Sequence, residues 1–580
     1  MSFDSLVYDM SQTSEVQPQV FTKKDWLNIL DNQSQNYSGN QCVIDTSQLA
    51  NSNKYMNYRE AYLSVPLLLT LNQTATGVGI VPSVAATSCD YSLALKNWSG
   101  SLIHSLTLDY NGTTIIQQTG FQGIWNTFKL YSSLSLNDIQ AEGATIGFFP
   151  DNPLSFQLNT VASIDGIGIT NNRNALVANG PVVTGALNSY TSSNEGIAQR
   201  QMLINYDSAA LTGVGASAFS VLNTQAAINS LYKASVLTKV DGSAGPATIG
   251  VFQQQAMVQI KLKHLHSFFD NVPLLKGVFM KLTLNLNNTS FAFTSAGVGG
   301  VITLTSVSTA YGGINPLMLV SAGVGSGNVA SLAAGGTSYI ASIAVGAKPI
   351  AAGVSVAGVQ NGSLAQSVTL NVPAYSFNPT FEASYLSNSV RRVDYTDIYQ
   401  YLIQNVGATS GQVNALVSNG IAGIQSVLVV PFFSPVTSVA GNTGIQVPQY
   451  QSPYDTAGTG TTAPLAHLTN FNVVIAGQNM IYNQQRYTYE AFNNQLYGNL
   501  AVNGGQTDGL ASGLIDQLKF ETSQCFHYVN CARMLPVEES IPKSVSIIGQ
   551  NTSSYALDLF VFVEYKCGIS IDCLTGARVA

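Results

Sequence analysis

The stretch LTLDYNGTTIIQQTGFQGIWNTFKLYSS, residues 106–133, reads as one strand–turn–strand–helix unit. Residues 106–109 form a strand-like run, Asn111-Gly112 is a strong hairpin signal, and residues 113–116 continue as a β-branched strand. A helix then fits residues 121–133, because Phe121, Ile124, Trp125 and Phe128 fall on one face at helical spacing. The same order recurs in the second half of the chain. There, residues 472–475 read as a strand, Gly477-Gln478-Asn479 as a turn, and residues 489–497 as a helix. Leu130-Tyr131 and Leu496-Tyr497 hold matching places.

Two further pairs match in the same order along the chain. NSNKYMNYREAY (51–62) aligns without gaps to NSVRRVDYTDIY (388–399), with Asn51/Asn388, Ser52/Ser389, Tyr58/Tyr395 and Tyr62/Tyr399 identical. QNGS (360–363) and QNTS (550–553) each lead into a strand that reaches a tyrosine, Tyr375 and Tyr565. Ordered internal repeats signal tandem copies of one domain. They place a first domain at residues 45–380, a second at 381–580, and an N-terminal arm at 1–44, whose portion around Phe21, Trp26 and Leu30 fits a short helix docked on a neighbour. Between Lys281 and Glu382 the only charged residue is Lys348, so that stretch reads as strands with long loops. Residues 135–195 and 290–365 are the expected outer loops.

Composition agrees with an all-β chain. Of 580 residues, 46% are apolar and only 9% charged, against roughly 25% charged in average soluble proteins. Fifty-one glycines and 27 tyrosines, with abundant Val, Ile and Thr, favour strands joined by tight turns. The net charge of −7 argues against direct nucleic-acid binding, which needs a concentrated Lys/Arg surface. The densest basic spots are Lys23-Lys24, Lys261/Lys263 and Arg391-Arg392. Residues 1–40 carry no apolar core of a signal peptide, and no stretch reads as a transmembrane segment. The six cysteines (Cys42, Cys89, Cys525, Cys531, Cys567, Cys573) are too few for a disulfide scaffold and read best as buried free thiols, with cross-strand pairing the open alternative.

Candidate chemistry is sparse. His264 and His266 flank Leu265 where a strand hands over to a helix, and a structural role outweighs a metal one. Cys525, His527 and Cys531 lack zinc-ligand spacing. Gly323, Gly325 and Gly327 sit in a Gly/Ser-rich run without a strand–helix unit around them. Glu60 and Asp397 recur at matched positions and invite comparison with an acid–base carboxylate pair, but ion pairs to Lys54 and Arg391 explain them better. The expectation is no catalytic, cofactor-binding or metal-binding residue, and no enzyme.

Three places then carry a family likeness: NYREAYLSVP (57–66) before a strand, LKHLHSFFDNVPLLKG (262–277) running into the strand at 278–288, and YVNCAR (528–533) followed by PKSV (542–545). With them the chain resembles the double jelly-roll major capsid proteins of virophages and polinton-like viruses. The resemblance implies two tandem eight-stranded jelly-roll barrels with short helices and long loop insertions. It further implies a homotrimeric, pseudo-hexameric capsomer tiling the icosahedral shell of a double-stranded DNA virus, made in the reducing interior of an infected host cell and located in the virion. Partners would be neighbouring trimers, a pentameric vertex (penton) protein and minor or cement proteins. The competing reading is a secreted β-sandwich adhesin or carbohydrate-binding protein, which should carry a signal peptide or acidic calcium loops.

Overall fold

The computed structural model describes residues 19–73, 91–150, 201–203, 236–239, 250–295, 302–321, 337–346, 354–355, 367–435, 447–453, 466–481, 487–496, 514–532 and 541–579, apart from isolated positions within them. Among the described strands of the first half, eight form its two facing sheets: β1 (Phe21–Leu30), β2 (Gln41–Asp45), β3 (Tyr62–Gln73), β4 (Ile103–Tyr110), β5 (Thr113–Ile116), β6 (Gly250–Lys261), β7 (Met280–Leu286) and β8 (Thr369–Phe377). Antiparallel pairing arranges them as β1-β8-β3-β6 in one sheet and β2-β7-β4-β5 in the other. Consecutive strands therefore pass from sheet to sheet at every step except β4–β5. That is the double Greek key of a jelly roll.

The second half repeats it. Strands β9 (Val390–Val406), β10 (Gly411–Ile421), β11 (Ile424–Phe433), β12 (Leu468–Ile475), β13 (Gln478–Asn479), β14 (His527–Asn530), β15 (Lys543–Asn551) and β16 (Leu557–Asp572) follow in order. Their sheets run β9-β16-β11-β14 and β10-β15-β12-β13. The chain is a double jelly roll. Among the described residues, every strand pair lies wholly before Asn378 or wholly after Ser389.

The Asn111-Gly112 hairpin is β4–β5, closed by Asn111 (φ 46°) and Gly112 (φ 80°). Its counterpart β12–β13 turns through Ala476 (φ 50°) and Gly477 (φ 80°). Two successive positive φ values match the twist of paired strands and explain the glycine at each second place. Helix α1 (Gln122–Ser133) follows β5, as a later helix, Tyr489–Leu496, follows β13. Between them come α2 (Leu136–Ile146), started by a Ser135/Asp138 capping box, and the short pair α3 (Leu262–Leu265) and α4 (Ser267–Asn271), which bridges β6 and β7. The Tyr489–Leu496 helix is α5.

Three expectations need correction. The arm at 1–44 contains β1 and β2, two integral strands of the first barrel: Trp26 pairs with Pro373 and Ile29 with Leu370, and Cys42 pairs with Leu284. The segment looked helical because Trp26 and Leu30 are apolar yet face outward, at 49% and 61% exposure, which hides the inward alternation of Leu27 and Ile29. The repeat of 51–62 against 388–399 is not topologically equivalent, since the first leads into β3, a third strand, and the second into β9, a first strand. The β4–β5–helix repeat falls on equivalent elements, and the strands that QNGS and QNTS precede, β8 and β16, are each the last long strand of their barrel, while residues 360–363 themselves lie outside the described residues. Lastly, the described part of 290–365 is mostly strand. Thr289–Ser295, Ile302–Thr309 and Thr337–Val345 extend the first sheet beyond residues 67–73 of β3. Residues 151–195 lie outside the described residues, whereas 136–146 form α2.

Each barrel is filled by alternate residues of its facing sheets. In the first, Ile29, Leu63, Leu106, Leu108, Leu282, Leu284 and Leu370 are at most 2% exposed. In the second, Val427, Val429, Val473, Val545, Ile547 and Val561 are fully buried. Burying each such side chain contributes about 1.5–3 kcal/mol.

Candidate functional site

The run LDLFVFVE (557–564) in β16 is buried at every position. A strand of a two-sheet barrel has one face for the core, so continuous burial requires a second covering layer. The pleat sends Leu559, Val561 and Val563 into the second barrel. Phe560, Phe562 and Glu564 point outward, together with Ser426, Leu428, Val430 and Phe432 of β11, which pair with β16. The covering layer is α1 of the first barrel.

Ten of the twelve α1 residues are buried. Trp125 lies 6.2 Å from Phe562, and Phe128 lies 5.1 Å from Phe526 and 5.4 Å from Tyr528, ring centre to ring centre. Phe121, immediately before the helix, sits at φ 55°, a conformation that costs a non-glycine residue about 1 kcal/mol or more. Its ring is held between His104 (5.0 Å) and Phe560 (4.8 Å), so aromatic packing across the join offsets the strain.

One turn further on, Lys129 Nζ donates to Glu564 Oε1 at 3.0 Å, and Ser426 Oγ donates to Glu564 Oε2 at 2.6 Å. Burial pushes the Glu564 carboxyl up, but Lys129, Ser426 and Thr396 outweigh it and hold the group below the ordinary carboxylate value.

The join continues on either side of α1. Ser267 Oγ donates to the Thr396 carbonyl at 2.7 Å, the Tyr395 hydroxyl to the Ile115 carbonyl at 3.0 Å, and the rings of Phe268 and Tyr395 meet at 5.5 Å. The fully buried Lys96 donates to the Ser452 carbonyl at 2.8 Å. Asn111 Nδ2 donates to the Gly576 carbonyl at 2.6 Å and the Lys276 amide to the Cys573 carbonyl at 3.0 Å. Aromatic burial and satisfied polar groups of this kind make an interface that holds two domains in one orientation.

The residues singled out for chemistry take structural places. His266 is buried at the join with Nε2 3.4 Å from Asp397 Oδ1. Asp397 also accepts from the Tyr565 hydroxyl at 3.3 Å and the Ile398 amide at 2.8 Å. Its expected partner Arg391 instead stacks on Tyr385 at 4.2 Å. Glu60 pairs with Lys24 at 2.7 Å and accepts from Tyr375 at 3.0 Å, while the expected partner Lys54 pairs with Asp25. The two carboxylates thus belong to separate barrels and separate networks.

Beside Glu60, an open cleft of about 390 Å³ is lined by Arg59, Asp270, Phe21 and Tyr375. Arg59 and Asp270 pair across it at 2.9 Å. His527 packs its ring against Phe471 and Tyr487 inside the second barrel. Cys42, Cys531, Cys567 and Cys573 are free thiols, and of the five described cysteines all but Cys567 are buried. Among the described residues no group of three or more His, Cys, Asp or Glu side chains is gathered to hold a metal ion. No described helix is long and apolar enough to cross a membrane. Gly323, Gly325 and Gly327 lie outside the described residues.

Sequence reasoning missed the Lys129–Glu564 pair and the docking of α1 on the second barrel. The signal was present in the unbroken burial-prone run of β16, where a surface sheet would alternate.

No protein-family model and no curated protein matches the chain. Solved structures do. A cryo-EM structure of the Sputnik virophage covers 98% of this chain and 90% of its own, at TM-score 0.49 and 11% identity. The mavirus major capsid protein covers 98% and 92%, at TM-score 0.41 and 8% identity. The Faustovirus major capsid protein covers 96% and 92%, at TM-score 0.39 and 10% identity.

Proposed function

We propose that this chain is a coat-building subunit, the major capsid protein of a double-stranded DNA virus, and not an enzyme. The carrying observation is the join: two barrels of one topology are locked together by α1, so that each chain is a rigid two-lobed block. Three such blocks related by a threefold axis present six similar lobes, which fills a hexagonal lattice position. Closed barrels keep few free sheet edges, which protects a protein that works at very high local concentration. A chain in which only 9% of residues are charged lets copies pack without strong like-charge repulsion. The division into domains follows the sheets, residues 21–377 and 390–579. Neighbouring trimers are the first partners in this reading, with a pentameric vertex protein and minor capsid proteins at positions a six-lobed block does not fill.

The test is the native mass of the purified protein with negative-stain images of the same sample. A species of three subunits with a hexagonal outline is the expected result. A monomer that never associates at any concentration, particularly one that binds glycans, would replace this reading with that of a carbohydrate-binding protein.

A further inference from the structure

Among the described residues, two aromatic side chains sit on a left-handed backbone: Phe121 and Tyr311, each at φ 55°. Both touch the same ring. His104, the second residue of β4, meets Phe121 edge to face at 5.0 Å and stacks on Tyr311 at 5.6 Å with 16° between the planes. Bulky residues avoid this backbone, so each is held there by what its ring packs against.

Each side of the imidazole also carries a contact to the second barrel. Phe121 packs on Phe560 at 4.8 Å and on Tyr450 at 6.0 Å. The corner Ala310–Gly312, which contains Tyr311, offers its Gly312 carbonyl to Gln451 Nε2 at 2.9 Å. The Tyr311 hydroxyl donates to the carbonyls of Gly39 (3.1 Å) and Asn40 (3.2 Å), which ties the corner to the β1–β2 turn. His104 thus lies between the two strained residues that hold one edge of the join.

The site suits a neutral ring. His104 is 7% exposed, and its Nδ1 is buried without a hydrogen-bond partner among the described residues. A side chain on Gly313 would stand 2.8 Å from Nδ1 and 2.5 Å from Asn287 Oδ1, so the corner closes over the ring only because residue 313 is glycine. The segments packed around it are 39–40, 99–105, 117–121, 285–289, 309–315 and 449–451. They contain no Asp, Glu, Lys or Arg, and their other titratable groups are the phenols of Tyr311 and Tyr450. A second proton on the ring would make a buried cation without a counter-ion.

We propose that His104 is an acid latch on the join: proton uptake drives the ring toward water, releases Phe121 and Tyr311, and opens the contacts of Gln451 and Phe560 at that edge while both barrels stay folded. Strain gives the opening its direction, because releasing either aromatic ring lets its backbone relax. Burial alone lowers the closed imidazole from 6.5 to about 4. The closed form therefore binds fewer protons than the open one, and it loses ground as the pH falls from 6.5 towards 4. The α1 contacts beyond Phe121 stay closed, so the edge loosens without the barrels parting.

Hydrogen exchange of the full chain, read by mass spectrometry at pH 7 and pH 5, tests this. Labelling times are scaled to the intrinsic amide rate at each pH. Protection of residues 119–124, 310–315 and 449–452 should fall about twentyfold at pH 5, while residues 282–286 in β7 keep theirs. His104→Phe keeps a ring between Phe121 and Tyr311 but cannot titrate, and should abolish the pH dependence. His104→Gln gives the same readout if the phenylalanine variant fails to fold. Equal protection at both pH values in the wild type overturns the latch, and so does an undiminished loss in a folded variant. A loss shared by residues 282–286 marks global unfolding and overturns it as well.

Discussion

Lys129 Nζ lies 3.0 Å from Glu564 Oε1, joining a helix of the first barrel to the buried run of strand β16 in the second. The carboxylate side chain is 7% exposed and the ammonium 31%, so the acid depends on its partner far more than the base does. Replacing Lys129 by Met leaves a buried carboxylate with only the uncharged Ser426 and Thr396 side chains to stabilise it. We expect a loss of about 2–3 kcal/mol, below the range of about 3–5 kcal/mol for fully buried pairs because Lys129 keeps part of its hydration. Urea denaturation measures it. The double variant Lys129→Met/Glu564→Gln should recover much of the loss, and equal losses in both would show that the pair is not coupled.

The same pair predicts an acid response. Glu564 is held below its ordinary value of 4.5 in the folded chain, so its contribution is complete above pH 4.5 and is lost as the pH falls through the folded value. Stability measured from pH 6 to pH 3 should fall less steeply in Glu564→Gln than in the wild type. Identical slopes would remove the carboxylate from the account.

Histidines add a second slope at milder pH. Burial pushes His104 down to about 4, and burial, with Lys263 and Lys261 adding to it, pushes His264 down to about 3. Both stay neutral in the folded chain and take up a proton on unfolding once the pH drops below 6.5. Stability should therefore decline as the pH falls from about 6.5 towards 4. His104→Gln should flatten part of that decline, and a profile that is level between pH 7 and 5 would contradict it.

Phe128 is fully buried at the join, against Phe526 and Tyr528. Phe128→Ala opens a cavity there and should cost about 3–5 kcal/mol. Because the cavity lies between the barrels, the loss should separate their unfolding. Trp125, at the same join, is the reporter: its fluorescence should shift before the far-ultraviolet circular dichroism of the barrels changes. Coincident transitions would mean that the barrels unfold as one unit even with the join weakened.

Asn551 shows why the QNTS motif reads as it does. Its Nδ2 donates to the carbonyls of Gly407 (2.9 Å), Tyr555 (2.9 Å) and Val406 (3.2 Å), and its Oδ1 accepts from the Ser553 amide at 2.9 Å. It ties the β9–β10 turn to the turn between β15 and β16. Asn551→Ala should destabilise by about 2 kcal/mol. Asn551→Asp, which sets a carboxylate against three carbonyl oxygens, should cost more. A neutral Asn551→Asp variant in thermal melts would show that the turns hold without it.

Local signals in the sequence determined much of this protein. Asn111-Gly112 and Gly477 specify hairpins because only certain residues tolerate the backbone they need. The one-sided apolar spacing of Ile124, Trp125 and Phe128 specifies a helix with a face to bury. Two of the three repeats marked equivalent elements and hence two copies of one barrel. Tertiary structure alone decided the rest. The strand at Phe21–Leu30 finds its partner 354 residues away, with Thr22 Oγ1 donating to the Ser376 carbonyl, and no local pattern announces a pairing across that span. Nor does any local pattern say that the buried face of α1 belongs partly to the other barrel, or that Glu564 needs Lys129. Periodicity states that a face must be covered. Which surface covers it depends on the packing of elements far apart in the chain.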